Sequence, residues 1–404
     1  MIRMFTLVII ALVIAVPRAT RATFSIVAVD TVNGVVGGAG ASCIDNCQII
    51  TDVVLGYGGV HTQAYWLQAN KNYAHSLLLQ GLSPDSIIAL LEANDAEGRP
   101  GLRQYGVVTF AGGGASAAYT GFGNSAWAGH RTGPGYAIQG NILLDSTVLL
   151  DMETAFLTTE GPLEIRLMAA LEAAKRPGAD SRCLDANKSA LSAFIKVAKP
   201  GNAGYLYELV TNTPAGVDPI DSLRVRFDAW RLTQSAHPGL STVSVPKTIL
   251  EGDGNQTTTI TVVPRNHYGT TPVQLDSVSL STSGTGTIAG VSDNGDGTFS
   301  ATFDAPIFGA PPDTITVRVG AYYDFVTELN QHPVITYYLC GDVNNDGGLK
   351  VSDLTFLVNF LFKSGPSPIV LLSADANGDG KVNVSDLTRL VSFLFSSGMP
   401  PVCE

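Results

Sequence analysis

The sequence predicts a multidomain chain: an α+β domain built as a four-layer αββα sandwich, then a β-sandwich, then a small all-α module with two acidic loops. Three observations predict that order. Strand-length and helix-length patterns come in pairs up to about residue 232, with a helical pattern stopping after Trp230. Thr/Val-rich alternation broken by Gly, Pro and Asn turns fills the next hundred or so residues. One loop-plus-helix phrase is then written twice in the last sixty-five. Composition agrees, since 45% apolar residues support real cores, while 43 Gly and only 15% charged residues suit β-rich architecture. A formal charge of −11 without any basic run makes a poor nucleic-acid binder, and none is expected as a partner.

Residues 1–22 read as a secretory signal peptide. Arg3 supplies the basic start, Phe5 to Val16 is a twelve-residue apolar run, and the small residues Thr20 and Ala22 sit at −3 and −1 of a cleavage point after Ala22. The run is shorter than the roughly 20 residues a membrane span requires, and no other stretch is apolar enough, so the mature chain is expected to be exported and not transmembrane. Loss of the three leader arginines (Arg3, Arg18, Arg21) takes the formal charge from −11 to −14. Cleavage there leaves Thr23 first. A free α-amine with a pKa of about 7.7–8.0 can deprotonate the adjacent hydroxyl, which puts nucleophile and base in one residue. The plainer alternative is a threonine that merely starts a strand.

The element order of the first domain follows from the pattern. Strands at about 24–30 and 35–42 meet at an Asn33-Gly34 turn, and a third lies near 57–63. Helices fit 66–80 and 84–93, the second capped by Ser83 with Pro84 at its first position. Strands at 103–110, 115–120 and 135–142, helices at 146–159 and 162–175, and strands at 189–198 and 203–211 complete it. Sheets stacked on each other and covered by paired helices give the αββα layering.

Within this domain Gln139 and Asn141 alternate on one strand face, placed either to donate to an oxyanion or to satisfy buried backbone groups. His130, in Trp127-Ala-Gly-His130-Arg131, either orients substrate and shuttles protons or is a structural histidine in a Gly-rich turn. Ser42 and Gln63 are further candidates; His61, which alternates with Gln63, reads as packing. Arg131 binds an acidic substrate group or caps a loop carbonyl. Cys43, Cys47 and Cys183 allow one disulfide and one free thiol, with Cys183 pairing to Cys43 or Cys47, or Cys43 to Cys47 across a very small loop.

The segments Thr23 to Asp30, Tyr57 to Ala64, Trp127 to Gly135 and Gln139 to Leu143 resemble a bacterial family of unknown function, numbered 1028. The resemblance runs from about Thr23 to Leu232. That family is grouped with N-terminal-nucleophile (Ntn) hydrolases, so the resemblance implies the Ntn-like sandwich and Thr23 as nucleophile. Family members typically begin Met-Thr-Phe-Ser-Ile-Val-Ala, and signal cleavage here does the work of Met removal. The family's reaction is not established, so its substrate, a small molecule or a peptide, stays open.

After the Ala236-His-Pro-Gly239 linker, residues 241–338 read as an immunoglobulin-like sandwich. The phrase Asp293-Asn-Gly-Asp-Gly-Thr-Phe-Ser-Ala-Thr-Phe resembles bacterial invasin- or filamin-type repeats, which implies a spacer or an adhesion surface. Gly295 and Gly297 offer no side-chain oxygen, so this acidic stretch is a hairpin turn and not a metal loop.

In residues 340–404 the oxygen donors recur at calcium-loop spacing, positions 1, 3, 5 and 12 with Gly at 6. The first loop offers Asp342, Asn344, Asp346 and Asp353, with Gly347 at the turn and Gly348 giving a carbonyl. The second offers Asp375, Asn377, Asp379 and Asp386, with Gly380 at the turn and Lys381 giving the carbonyl. Two Ca2+ ions are expected. Asp at position 12 and the missing leading helix set these loops apart from calmodulin and resemble type I dockerins of cellulosome-type assemblies. That resemblance implies a cohesin-like scaffold as partner, read through Val351-Ser352 and Val384-Ser385 at loop positions 10 and 11. One apolar face per helix (Leu354, Phe356, Leu357, Phe360, Leu361; then Leu387, Leu390, Val391, Phe393, Leu394) packs the pair, and Cys340 with Cys403 fits a clasp. Three functions therefore compete: a docked Ntn amide hydrolase, a non-catalytic secreted binding protein, and a part in extracellular polysaccharide degradation. The last rests on dockerin association alone, since no carboxylate pair in a recognisable motif is present.

Overall fold

A computed structural model describes residues 22–124, 126–272, 277–307, 311–321 and 325–403. The expected signal peptide lies, but for Ala22, outside the described residues. Residues up to Asp228 form one compact unit, and those from Ala229 on form a second.

The first unit contains two antiparallel sheets. The larger has the order β10-β9-β2-β1-β8-β7, from β1 (Thr23–Asp30), β2 (Val35–Ser42), β7 (Trp127–Gly133), β8 (Tyr136–Leu143), β9 (Ser192–Lys199) and β10 (Asn202–Val210). The smaller runs β3-β4-β5-β6, from β3 (Thr51–Val54), β4 (Gly58–Ala64), β5 (Arg103–Thr109) and β6 (Ser116–Thr120). Helices α1 (Gln68–Leu79) and α2 (Pro84–Ala93) pack Leu77, Leu78, Ile87 and Leu91 on Val60, Tyr105 and Val107 of the smaller sheet. A four-residue turn, α3 (Ala111–Gly114), links β5 to β6. Helices α4 (Thr147–Thr158) and α5 (Leu163–Ala174) cover the larger sheet, where Leu167 fills the space above Gly37 and Leu149 the space above Gly140.

The period-2 alternation of strands sorts residues between these layers. Phe24, Ile26 and Ala28 of β1 are buried on the α4–α5 side, whereas Thr23, Ser25, Val27 and Val29 face the other sheet. Val27, Val29, Val36, Val108 and Ala137 make one end of the inter-sheet layer apolar. The other end is polar. There the start of β1 meets the ends of β2, β4 and β8 and the beginning of β5.

Two strands escaped the sequence pattern. β3 is only four residues long, and β7 is an edge strand with no buried residue, so neither shows an apolar alternation. His130 therefore sits in a strand and not in a Gly-rich turn. Helix α6 (Pro219–Gln234) also continues one turn beyond Trp230. The cysteines resolve as a Cys43–Cys183 disulfide with Cys47 buried and free.

The second unit begins with a β-rich region of two sheets, ordered β11-β13-β16-β15 and β12-β19-β17-β14 with β18 on β17. Their strands are β11 (Thr242–Ser244), β12 (Ile249–Glu251), β13 (Thr257–Val263), β14 (Ser277–Thr282), β15 (Thr287–Asp293), β16 (Phe299–Asp304), β17 (Asp313–Ala321), β18 (Phe325–Glu328) and β19 (Val334–Tyr338). Ile260, Val262, Phe303, Ile315, Val317 and Ile335 form its core. Residues 294–298 join β15 to β16 as the expected hairpin turn, with Asp296 capping Thr298. Two helices follow, α7 (Val351–Phe362) and α8 (Val384–Ser396), and Leu354, Leu357 and Leu390 meet between them. Val391 departs from the expected stripe and is exposed.

Candidate functional site

Thr23 opens β1 and lies opposite Asn141 of β8 in the strand register. Its hydroxyl turns into the polar end of the inter-sheet layer, 3.2 Å from Ser42 Oγ of β2. Behind it a chain of neutral side chains crosses both sheets. Ser25 Oγ donates to Gln63 Oε1 (2.7 Å) and accepts from Gln139 Nε2 (2.6 Å). Gln63 Nε2 reaches Gln104 Oε1 (2.8 Å) and the Thr23 carbonyl (3.4 Å), and Asn141 Nδ2 donates to the same Gln104 oxygen (3.0 Å). Mutual hydrogen bonding is what makes such a layer tolerable, because each polar group left alone there costs roughly 1–3 kcal/mol.

His61 is a member of this chain, not simple packing. Its ring is wholly buried, with Nε2 2.9 Å from Thr51 Oγ1 and Nδ1 3.3 Å from Gln139 Nε2. The Gln139 amide is a donor, so Nδ1 accepts and Nε2 carries the proton. Burial, helped by the charge of Lys71, pushes its pKa down to about 3, so the ring is neutral at physiological pH. Room for it comes from Gly38, and room for Gln139 from Gly106, since a Cβ at either position would meet those side chains.

The structure brings Thr23, Gln139 and Asn141 into one network but places His130 at its far edge. His130 is exposed; it lies opposite Gln139 in the β7–β8 register, and its ring reaches the network through Thr120 Oγ1 (2.9 Å), which Gln104 Nε2 also contacts (2.9 Å). It lines an open cleft of about 480 Å3 with Thr120, Phe122, Asn124 and Ala128. Partial loss of hydration holds its pKa below the usual histidine value. The Gln139 and Asn141 amide nitrogens donate to protein oxygens and so serve the network itself. Arg131, left open between two roles, pairs with Glu153.

Sequence reasoning missed one charged pair beside Thr23. Asp180 is fully buried and Arg182 binds it through Nε (3.1 Å) and Nη2 (2.9 Å). The Cys43 amide donates to Asp180 (2.6 Å), and the Cys43–Cys183 disulfide fixes this turn to the end of β2. Arg182 Nη2 also donates to the Ala22 carbonyl at 3.0 Å. The sequence signal available was only its adjacency to Cys183, because the contact spans 160 positions.

In the C-terminal region both acidic loops fold alike. The Asp346 amide donates to Asp342 Oδ1 (3.0 Å) and Asn344 Oδ1 (2.9 Å), so the oxygens of positions 1 and 3 converge on one point. The Asp379 amide does the same with Asp375 and Asn377. Gly347 and Gly380 take φ of 92° and 79°, a turn that favours glycine. Asp353 and Asp386 each accept two loop amides and cap their helices, and burial raises their pKa. No three carboxylates gather on one point among the described residues. Asn344, Asn377 and main-chain oxygens complete a hard-oxygen set that fits calcium. The loops differ at position 9: Lys350 Nζ binds Asp346 Oδ1 (2.8 Å), whereas Asn383 caps α8. Cys340 and Cys403 form the expected disulfide.

Comparison with known proteins assigns these regions. A profile described as "Family of unknown function (DUF1028)" matches residues 23–225. The chain belongs to the DUF1028 family. Residues 237–329 match Invasin, domain 3, and 340–395 match the Dockerin type I domain, which makes the C-terminal region a calcium-binding module. A DUF1028 protein from Silicibacter pomeroyi is 26% identical, covering 52% of this chain and 88% of its own at a TM-score of 0.44. The Yersinia pseudotuberculosis adhesin InvE is 19% identical over 25% of this chain and 27% of its own, TM-score 0.20. Invasin, a bacterial integrin-binding protein, is 11% identical over 80% and 54%, TM-score 0.22. No curated protein matches the chain. No helix among the described residues of this DUF1028 chain is long and apolar enough to cross a membrane.

Proposed function

We infer that this DUF1028 chain is an exported, scaffold-docked amide hydrolase in which Thr23 is the nucleophile and its own α-amine the base. The observation that carries this reading is the place of Thr23. It begins a central strand, and its hydroxyl meets Ser42 at the polar end of a layer between two sheets. The helix–sheet–sheet–helix stacking supports the four-layer Ntn-type sandwich for residues 23–235, followed by an immunoglobulin-like spacer over 241–338 and a dockerin over 340–404. Signal cleavage after Ala22 frees the amine. Gln139 and Asn141 hold the network behind Thr23, and His130 borders the cleft outside it. Asp342, Asn344, Asp346, Gly348 and Asp353 hold one Ca2+ ion, and Asp375, Asn377, Asp379, Lys381 and Asp386 the other. With calcium bound, Val351-Ser352 or Val384-Ser385 faces a cohesin-like scaffold. Asp180, the buried acid that Arg182 holds next to the Ala22 carbonyl, is tied up in that pair and is not itself free for the carboxylate pair that glycoside chemistry needs.

Labelling with a biotinylated β-lactone tests the hydrolase reading. The mature chain is expected to take one label on Thr23, and the Thr23→Ala variant none; a label that persists in Thr23→Ala contradicts it. Capture of the full chain on a panel of immobilised cohesin modules tests docking, and is expected with calcium and lost with chelator. Capture that ignores chelator contradicts calcium-dependent docking.

A further inference from the structure

One backbone carbonyl, that of Ala22, collects three side-chain donors from three separate parts of the chain. Thr23 Oγ1 donates to it at 2.6 Å, Arg182 Nη2 at 3.0 Å, and Ser42 Oγ also donates to it. Two of these groups are fully buried hydroxyls and the third is a guanidinium held in place by buried Asp180 and the Cys43–Cys183 disulfide. Peptide carbonyls elsewhere in this unit also accept from cations, Tyr65 from Arg103 for one, but a peptide carbonyl does not call for a guanidinium and two buried hydroxyls at once. An oxygen that gains negative charge does, and donors about 2.7–3.1 Å from where that oxygen will sit are the geometric mark of such a site. The Ala22 carbonyl belongs to the bond whose cleavage would free Thr23. Once that bond is cut, the same three donors point at a place without its oxygen.

We propose that Arg182 and Ser42 form the oxyanion site of this enzyme, and that the position of the Ala22 oxygen is taken by the acyl oxygen of an amide substrate. The assignment rests on Thr23 being the nucleophile. Thr23 Oγ forms a bond to the amide carbon and its proton passes to the α-amine. The carbonyl π electrons move onto oxygen, which Arg182 and Ser42 hold. Collapse breaks the C–N bond, and the leaving amine departs with the proton from the α-amine. Water then cleaves the acyl-threonine ester, returning acid and free Thr23. Arg182 has a second effect, since its positive charge beside the α-amine favours the neutral base.

The test uses the full mature chain and the rate at which a biotinylated β-lactone labels Thr23 between pH 6 and 9. Removing Arg182 alone would strand the buried Asp180 charge, so the decisive variant is Arg182→Met with Asp180→Asn. Labelling is expected to slow by roughly 10²- to 10³-fold, with the inflection of its pH profile moved upward. Arg182→Lys and Ser42→Ala keep the buried pair charged and serve where the double variant does not fold; the lysine is expected to retain part of the rate and the alanine to lose at least about tenfold. A merely structural role leaves the pH inflection of folded variants where it was. Wild-type labelling on Thr23 with unchanged rate and inflection in the variants overturns the oxyanion assignment of Arg182 and Ser42 and leaves the nucleophile reading standing. Absence of any label on wild-type Thr23 overturns the nucleophile reading and this assignment with it.

Discussion

At Gly38 a Cβ would lie 2.4 Å from His61 Nε2, so a single bare backbone position decides whether the buried imidazole fits between the sheets. Gly38→Ala is expected to cost roughly 1–3 kcal/mol, the usual price of overpacking a core, read as a lower midpoint in urea denaturation. His61 itself imposes a pH dependence. Its folded pKa is depressed to about 3 against about 6.5 in the unfolded chain, so between those values the unfolded chain binds a proton that the folded chain refuses. Its stabilising contribution is fully present above pH 6.5 and falls as the pH drops toward 3, by up to about 1.4 kcal/mol per unit. Calorimetry of wild type and His61→Gln at pH 7, 5.5 and 4.5 should show the variant losing less on acidification; parallel losses would contradict the assignment. The alternation of His61 with Gln63 was legible in the sequence. Its hydrogen bonds to Thr51 and Gln139 were not, because both partners come from elsewhere in the chain.

Elements were read most faithfully where their periodicity was long, as in α2 with its Ser83 cap and in the hairpin turned at Asn33-Gly34. They were missed where tertiary context supplies the order, as in β7, which carries no apolar stripe because it is an edge strand. The turn at 180–183 was invisible for a related reason: it has no pattern of its own and is defined by a disulfide across 140 positions. Replacing that disulfide with Cys43→Ser and Cys183→Ser is expected to lower stability by about 2–5 kcal/mol and to slow Thr23 labelling by loosening Arg182. The turns of the acidic loops, by contrast, were legible in the sequence, because their hydrogen bonds are local. Lys350 is the difference between them. Its ammonium occupies the carboxylate of Asp346, a proposed calcium ligand, so the first loop should bind more weakly than the second. Lys350→Asn is expected to bring the two affinities together in a calorimetric calcium titration, with the first site gaining several-fold; an unchanged isotherm would count against this.

For the whole chain, the order of regions follows from composition, the duplicated loop and the DUF1028, Invasin domain 3 and Dockerin type I matches. Chelation is expected to open the 340–403 segment to protease, mapped by mass spectrometry, while the core strands of the first unit stay protected. Equal protection with and without chelator would contradict calcium-dependent folding of that segment. The candidate site was half legible. Thr23 was singled out from the expected cleavage after Ala22, and Gln139 and Asn141 from their alternation on one strand, while Arg182 and Asp180 required the fold. All of the chemistry inferred above depends on a free amine at Thr23. The mass of the protein's N-terminal peptide, measured on material from its native host, tests this most directly: a chain beginning at Thr23 is the predicted result, and a chain beginning at any other residue contradicts the account.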